Sequence, residues 1–140
     1  MVALGKATNI NKQMFKTIIY IAIGGAIGSV FRYLISVKIN KIWLHSFPLA
    51  TFLINILGCF ILGIIIGFLD KQEIVNANFK WFLITGFCGG FTTFSTFSLE
   101  SVNLIENENS LLALLYICLS IFIGLLSIWM GLSIVKYFDL

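Results

Sequence analysis

The segment from Gly86 to Ser98, GFCGGFTTFSTFS, places glycines, hydroxyls and aromatic rings inside an apolar stretch of membrane-crossing length. Its five hydroxyl side chains are Thr92, Thr93, Ser95, Thr96 and Ser98. Three phenylalanines recur at every third position, namely Phe91, Phe94 and Phe97. Because paired glycines weaken a helix and lipid offers no hydrogen bonds, we expect this run to interrupt a transmembrane helix and to face protein or a wet cavity. Such a break is where a small membrane protein would handle an ion or polar solute.

The polar groups within the apolar segments are mostly hydrogen-bond donors. Asn55 carries an amide NH2 group, hydroxyls line the third and fourth segments, and a broken helix presents free N–H groups at the positive end of its dipole. Phenylalanine rings have electropositive edges. A desolvated ion costs tens of kcal/mol in an apolar medium, so several donors together suit a small anion. Two alternatives stay open: carbonyls freed by the break could hold a cation, and Phe94 and Phe97 could serve packing alone.

Carboxylates are missing from the interior of the apolar segments, since Asp70, Glu100 and Asp139 lie at their borders. A transporter coupled to protons or cations usually needs an intramembrane carboxylate to bind its ion. A hydrolytic enzyme needs a base beside its nucleophile, and no His or carboxylate is placed to activate a serine at depth. The sequence therefore argues against an enzyme.

The elements that must position these groups are membrane helices. Of the 140 residues, 59% are hydrophobic and only 11% are charged, whereas a soluble domain has about 25% charged residues. Four segments each have roughly the 20 residues needed to cross the bilayer, about Phe15 to Val37, Leu49 to Leu69, Phe79 to Leu99 and Leu111 to Val135. We expect residues 1–140 to form one all-α transmembrane domain of four helices, with the third broken near the midplane.

Small or polar residues form a stripe on each of three helices. The stripes are Gly24, Gly28 and Arg32 on the first helix, Thr51, Asn55 and Cys59 on the second, and Tyr116, Ser120 and Gly124 on the fourth. Such stripes let helix backbones approach closely, which is an alternative explanation for the glycines. Arg32 could extend to the interface or lend a positive field to a vestibule.

The basic residues do not fix one membrane orientation. With four spans, both termini share one side with the second loop, and that side has six basic residues against three on the other. This bias toward termini inside is weak, so the chain could insert either way. Four helices cannot shield all their polar stripes alone, and an isologous two-fold contact would cover them.

Three motifs follow one another along these helices: GGAIGSVFRY at Gly24 to Tyr33, NILGCFILG at Asn55 to Gly63, and GFCGGFTTFSTFSLE at Gly86 to Glu100. With these motifs, the chain resembles the fluoride channel family (Fluc, also called CrcB) along nearly its whole length. The resemblance implies passive, selective export of cytoplasmic fluoride across the cell membrane, which protects the cell from fluoride toxicity. It also implies an antiparallel homodimer with two separate pores.

The resemblance further implies roles for individual residues. Phe94 and Phe97 would be the pore phenylalanines, with Asn55 as the amide donor beside them. Backbone carbonyls of Gly89 and Thr92, from both subunits, would hold a structural Na⁺ on the two-fold axis. Support for the pore would come from Ser95, Thr96 and Thr51, a polar track on the fourth helix from Tyr116 and Ser120, and a vestibule charge from Arg32. One departure is Gly124, which stands where a further hydroxyl of that track is expected.

Two other classes of protein compete with a channel. A small multidrug exporter, also a four-helix protein of dual topology, needs a carboxylate near the middle of its first helix, and Ile18 to Ile35 contains none. A non-transporting assembly subunit would explain the small-residue stripes but would leave the hydroxyl-rich break without a purpose.

Overall fold

The computed structural model describes residues 2–71 and 76–138, with side chains from residue 10 onward. Within these ranges all regular structure is helical. The helices are α1 (Val2–Ile42), α2 (Leu49–Lys71), α3 (Ala77–Trp81), α4 (Gly89–Phe91), α5 (Phe94–Glu106) and α6 (Ser110–Tyr137), with a π-helical stretch at Phe82–Cys88 between α3 and α4. The all-α architecture predicted from the composition is confirmed.

Among the described residues, four helical stretches are long and apolar enough to cross a membrane. They are Ile10–Ile42, Leu49–Lys71, Ala77–Glu106 and Ser110–Tyr137. α1 is the longest element, with 41 residues. At 1.5 Å per residue it measures roughly 60 Å, about twice the hydrocarbon thickness of a bilayer. One end of α1 must therefore extend beyond the hydrocarbon.

The third stretch is interrupted at Thr92 and Thr93, which have extended backbone conformations with ψ angles of 161° and 117°. The interruption falls after the glycine pair that was expected to cause it, because Gly89 and Gly90 are themselves helical in α4. A hydrogen bond from the Thr92 amide to the Cys88 carbonyl, 3.0 Å long, closes the last helical turn. The break is therefore located at the hydroxyl residues, and the glycines need another explanation.

Close packing against α1 explains these glycines. A Cβ atom on Gly90 would lie 2.5 Å from the carbonyl oxygen of Gly25, and one on Gly86 would lie 3.0 Å from Cα of Gly24. The α1 backbone thus runs against the π-helical stretch and α4 with no room for side chains between them. Small residues at both faces allow this approach in a membrane protein.

α2 and α6 form the second close helix pair. A Cβ atom on Gly131 would lie 2.5 Å from the carbonyl oxygen of Phe60 and 2.8 Å from the amide nitrogen of Ile64. One on Gly124, two turns earlier on α6, would have Cys59 Sγ as its nearest neighbour at an ordinary 3.7 Å. The two glycines therefore differ sharply in the space that surrounds them.

We expect Gly131→Ala to destabilise the protein by about 1–3 kcal/mol, because the added methyl group meets rigid backbone and must push α6 away from α2. Gly124→Ala is the matched control, since it makes the same change on the same helix with space for the methyl group. Thermal unfolding in detergent measures both variants. Equal unfolding temperatures for the two would contradict the inferred close packing.

Candidate ion-binding site at the helix break

A cavity of about 390 Å³ lies beside the break. α2, the π-helical stretch, α4, α5 and α6 all contribute to its wall, together with the two extended residues of the break. Its polar lining residues are Asn55, Thr92, Thr93 and Ser120, and its aromatic ones are Phe94 and Phe97. The structure thus brings together five predicted site residues, Asn55, Thr92, Phe94, Phe97 and Ser120, around one space. A sixth predicted site residue, Gly89, also lines the cavity.

Asn55 stabilises the break from the neighbouring helix. The Thr93 amide donates to Asn55 Oδ1 at 2.9 Å, and Asn55 Nδ2 donates to the Thr93 carbonyl at 3.3 Å. One carboxamide therefore bonds both backbone groups of Thr93, and it takes the amide that in a continuous helix would donate to the Gly89 carbonyl. Unpaired backbone groups cost several kcal/mol in lipid, so these two hydrogen bonds from Asn55 stabilise the interrupted helix.

Thr93 also begins the helix that follows the break. Its Oγ1 accepts a hydrogen bond from the Thr96 amide at 3.2 Å, which is the N-cap arrangement that satisfies one free donor of α5. Thr93 Oγ1 itself donates to Thr96 Oγ1 at 2.9 Å and lies 3.4 Å from Ser95 Oγ. Ser95 and Thr96 are exposed on this chain and do not line the cavity. They belong to the hydroxyl cluster that caps α5.

The break removes the helical partners of the Gly89 and Thr92 carbonyl oxygens. In a continuous helix the Thr93 amide would donate to the Gly89 carbonyl and the Thr96 amide to the Thr92 carbonyl. In this structure the Thr93 amide donates to Asn55 Oδ1, and the Thr96 amide donates to Thr93 Oγ1. Gly89 and Thr92 are the two residues whose carbonyls the family resemblance assigns to Na⁺. Carbonyl oxygens are ligands that suit a hard cation. Within residues 2–71 and 76–138 there is no cluster of His, Cys, Asp or Glu side chains that could hold a metal.

The aromatic residues form a row from the cavity toward α6. The ring centroids of Phe94 and Phe97 lie 5.9 Å apart, and those of Phe97 and Tyr116 lie 5.1 Å apart. Exposure falls along the row, from 79% for Phe94 to zero for Tyr116. Phe97, in the middle, lines the cavity and also packs against the core cluster that contains Tyr116.

Ser120 contributes a hydroxyl from α6. Its Oγ is buried and has no hydrogen-bond partner within the described part of the chain. A buried hydroxyl without a partner costs free energy comparable to a lost hydrogen bond, so a water molecule or an ion in the cavity would be favoured beside it.

Glu100 has a structural role beside the cavity that the sequence did not predict. Glu100 is expected at the border of the third span, and in the structure its helix continues to Glu106. Its carboxylate accepts a hydrogen bond from Thr51 Oγ1 at 2.8 Å and another from the Tyr116 hydroxyl at 2.9 Å. Glu100 therefore joins α2, α5 and α6 in one polar cluster. The signal available in the sequence was its spacing of three residues from Phe97, which places both on one helix face.

The remaining predicted residues lie apart from the cavity. Thr51 and Tyr116 are buried and bound to Glu100, so neither lines the cavity wall. Arg32 is half-buried on α1, one turn beyond Gly28, and it is also absent from the wall. Asp139, assigned to a border, lies outside the described residues. The roles given to these residues stay predictions.

Comparison with known proteins places this chain in a family. The family model described as "CrcB-like protein, Camphor Resistance (CrcB)" matches residues 19–132. A protein named "Fluoride-specific ion channel FluC" from Flavobacterium psychrophilum is 53% identical over 121 residues, which cover 86% of this chain and 98% of the relative.

Two further relatives carry the same name. The protein from Azobacteroides pseudotrichonymphae is 45% identical over 125 residues, covering 89% of this chain and all of the relative. The protein from Leptospira interrogans serogroup Icterohaemorrhagiae serovar copenhageni is 40% identical over 123 residues, covering 88% of this chain and 97% of the relative. With the four spans, these matches make the chain a multi-pass protein of the cell membrane and a channel-family member, not an enzyme. It belongs to the CrcB family, whose members include the fluoride-specific ion channels named FluC.

Proposed function

We propose that this chain forms a passive, fluoride-selective channel that exports cytoplasmic fluoride and protects the cell from its toxicity. The observation that carries the proposal is the cavity at the break, which is lined by donors and aromatic rings. Ser120 offers a hydroxyl without a partner, and Phe94 and Phe97 offer ring edges. No carboxylate among the described residues lines this wall, and Glu100 has both oxygens occupied by Thr51 and Tyr116.

The geometry suggests how a strongly hydrated anion would cross. The Ser120 hydroxyl would donate directly to fluoride and replace part of its hydration. The ring edges of Phe94 and Phe97 would add positive electrostatic potential, although the rings themselves carry no net charge. Asn55 would act chiefly through Thr93, because both of its amide atoms already bond to that backbone. Weak, distributed contacts of this kind let an ion enter and leave readily.

The functional unit is proposed to be an antiparallel homodimer with two pores. The argument is the exposure of the break on a single chain: Phe94 is 79% exposed, and Gly89, Ser95 and Thr96 are exposed with it. Lipid cannot satisfy hydroxyls and freed carbonyls, so another protein surface must cover them. A second copy in two-fold contact would do so. Mass measurement of the purified protein in detergent tests this assembly, and a monomer that conducts fluoride would contradict it.

A structural Na⁺ at the dimer centre is a further part of the proposal. The Gly89 and Thr92 carbonyls fit the ion because the amides that would bond to them in a helix donate elsewhere. When bound, Na⁺ would supply a fixed positive charge that holds the two breaks together. Its replacement by a large organic cation should lower the thermal unfolding temperature of the detergent-solubilised dimer. An unchanged unfolding temperature would contradict a structural ion.

Reconstituted protein is expected to release fluoride from loaded liposomes while chloride stays inside, as followed with electrodes selective for each anion. The reason is that the donors and ring edges suit a small, strongly polarising anion. Protein-free liposomes are the control. Equal release of both anions would contradict the selectivity, and retention of fluoride would contradict the channel itself.

A further inference from the structure

A second cavity, of about 370 Å³, lies at the start of the α1 membrane span and shares no residue with the first. Lys12, Gln13 and Lys16 of α1 form one side, and Asn78 of α3 forms the other. The two helices are joined there, because Thr17 Oγ1 donates to Asn78 Oδ1 at 3.0 Å. The cavity is therefore a defined space between two linked elements.

The wall of this second cavity favours an anion with several oxygen atoms. Lys12 and Lys16 are four residues apart, so their ammonium groups project from the same face of α1. Gln13 and Asn78 add carboxamide N–H donors between them. No carboxylate from the described part of the chain lines the wall to neutralise the two charges. A phosphate group matches this combination of charge and donors.

The surroundings of the cavity indicate a lipid and not a free anion. Large apolar side chains are exposed on the same turns of α1, namely Ile10, Met14, Phe15 and Ile18. On α3, Phe79 and Trp81 are 48% and 47% exposed. Lysines, a tryptophan and exposed apolar side chains meet in this way at the membrane–water interface, where headgroups lie above acyl chains. A soluble phosphate would make no use of the apolar neighbours.

Three of the four residues that line this cavity lie outside the segment matched by the family model. The family model begins at residue 19, so Lys12, Gln13 and Lys16 all precede it. We propose that this headgroup cavity, formed by Lys12, Gln13, Lys16 and Asn78, binds the phosphate of an anionic phospholipid such as phosphatidylglycerol. Basic pockets between membrane helices bind anionic headgroups elsewhere by the same electrostatics. The bound lipid would hold the N-terminal extension of α1 at the interface.

The test measures lipid retention by the full-length protein in detergent, using native mass spectrometry with added phosphatidylglycerol or phosphatidylcholine. We expect selective retention of phosphatidylglycerol and a loss on the order of tenfold in the double variant Lys12→Gln/Lys16→Gln, since each surface lysine contributes appreciably to anionic-lipid binding. The matched control is Lys38→Gln/Lys41→Gln, which removes the same charge from exposed positions near the other end of α1. It should retain the lipid within about twofold, because those lysines lie well outside the cavity.

Three results would overturn the proposal. They are equal retention of the two lipids, equal losses in the two double variants, and full displacement of phosphatidylglycerol by inorganic phosphate. A measurement on the unmodified protein provides an independent check: a photo-crosslinking phosphatidylglycerol should label peptides that contain residues 10–17 or 76–81. Labelling confined to other segments would contradict the assignment even if the variants failed to fold. Neither readout depends on fluoride transport, so failure here leaves the proposed channel untouched.

Discussion

Asn55→Asp is expected to reduce fluoride release from liposomes by about a hundredfold or more, because like-charge juxtaposition costs several kcal/mol and each 1.36 kcal/mol is tenfold in rate. The change is nearly isosteric, and the Oδ1 acceptor for the Thr93 amide survives. The Nδ2 donor is lost, however, so a carboxylate oxygen faces the Thr93 carbonyl that it formerly bonded. A negative charge then stands at the wall of the cavity through which the anion passes.

The matched control for this variant is Asn103→Asp, which makes the same substitution at an exposed position on α5. Its fluoride release should match that of the unmodified protein. Asn55→Ala separates charge from structure, since it removes both bonds to Thr93 without adding a carboxylate. Leaving the buried Thr93 groups unpaired should cost about 1–3 kcal/mol of stability. Unimpaired fluoride release by Asn55→Asp would show that the break lies off the ion path.

The membrane fold follows from the sequence because lipid imposes few choices. A chain with four apolar stretches of the right length must form helices there, since no other open structure satisfies its backbone. The hydroxyl-rich run from Thr92 to Ser98 likewise indicates an interruption. Its position at Thr92 and Thr93 depends on Asn55, which lies 38 residues away and takes the Thr93 amide from the Gly89 carbonyl. Contact across helices therefore acts together with the local N-cap preference of Thr93 to set the position.

Two other features were beyond the reach of a single sequence for the same reason. The glycines at Gly86 and Gly90 are explained by the approach of α1, which only the packed structure reveals. Glu100 stands where the apolar character of the third span ends, and its helix continues to Glu106. Its hydrogen bonds to Thr51 and Tyr116 make a carboxylate acceptable inside the bundle. Hydropathy alone cannot anticipate such partners.

Phe97→Ile is the second variant for which we expect a near-complete loss of fluoride release. Isoleucine fills much of the volume of the ring but has no electropositive edge to present to an anion. Phe97 lines the cavity between Phe94 and Tyr116, so its ring is the one that connects the exposed and buried ends of the aromatic row. Without it the ion would meet aliphatic surface at that point and would lose the compensation for its hydration.

Phe97 also contributes to core packing, and Phe52→Ile is the control that separates the loss of packing from the loss of ion conduction. Both phenylalanines are partly buried and pack against the same core cluster of Leu104, Ala113 and Tyr116, but only Phe97 lines the cavity. Both variants should lose about 1–2 kcal/mol in unfolding measurements, as large-to-small core changes of this size do. Fluoride release should persist in Phe52→Ile and disappear in Phe97→Ile. Normal release in Phe97→Ile would assign that ring to packing alone and leave Ser120 and Phe94 as the groups that replace water around the ion.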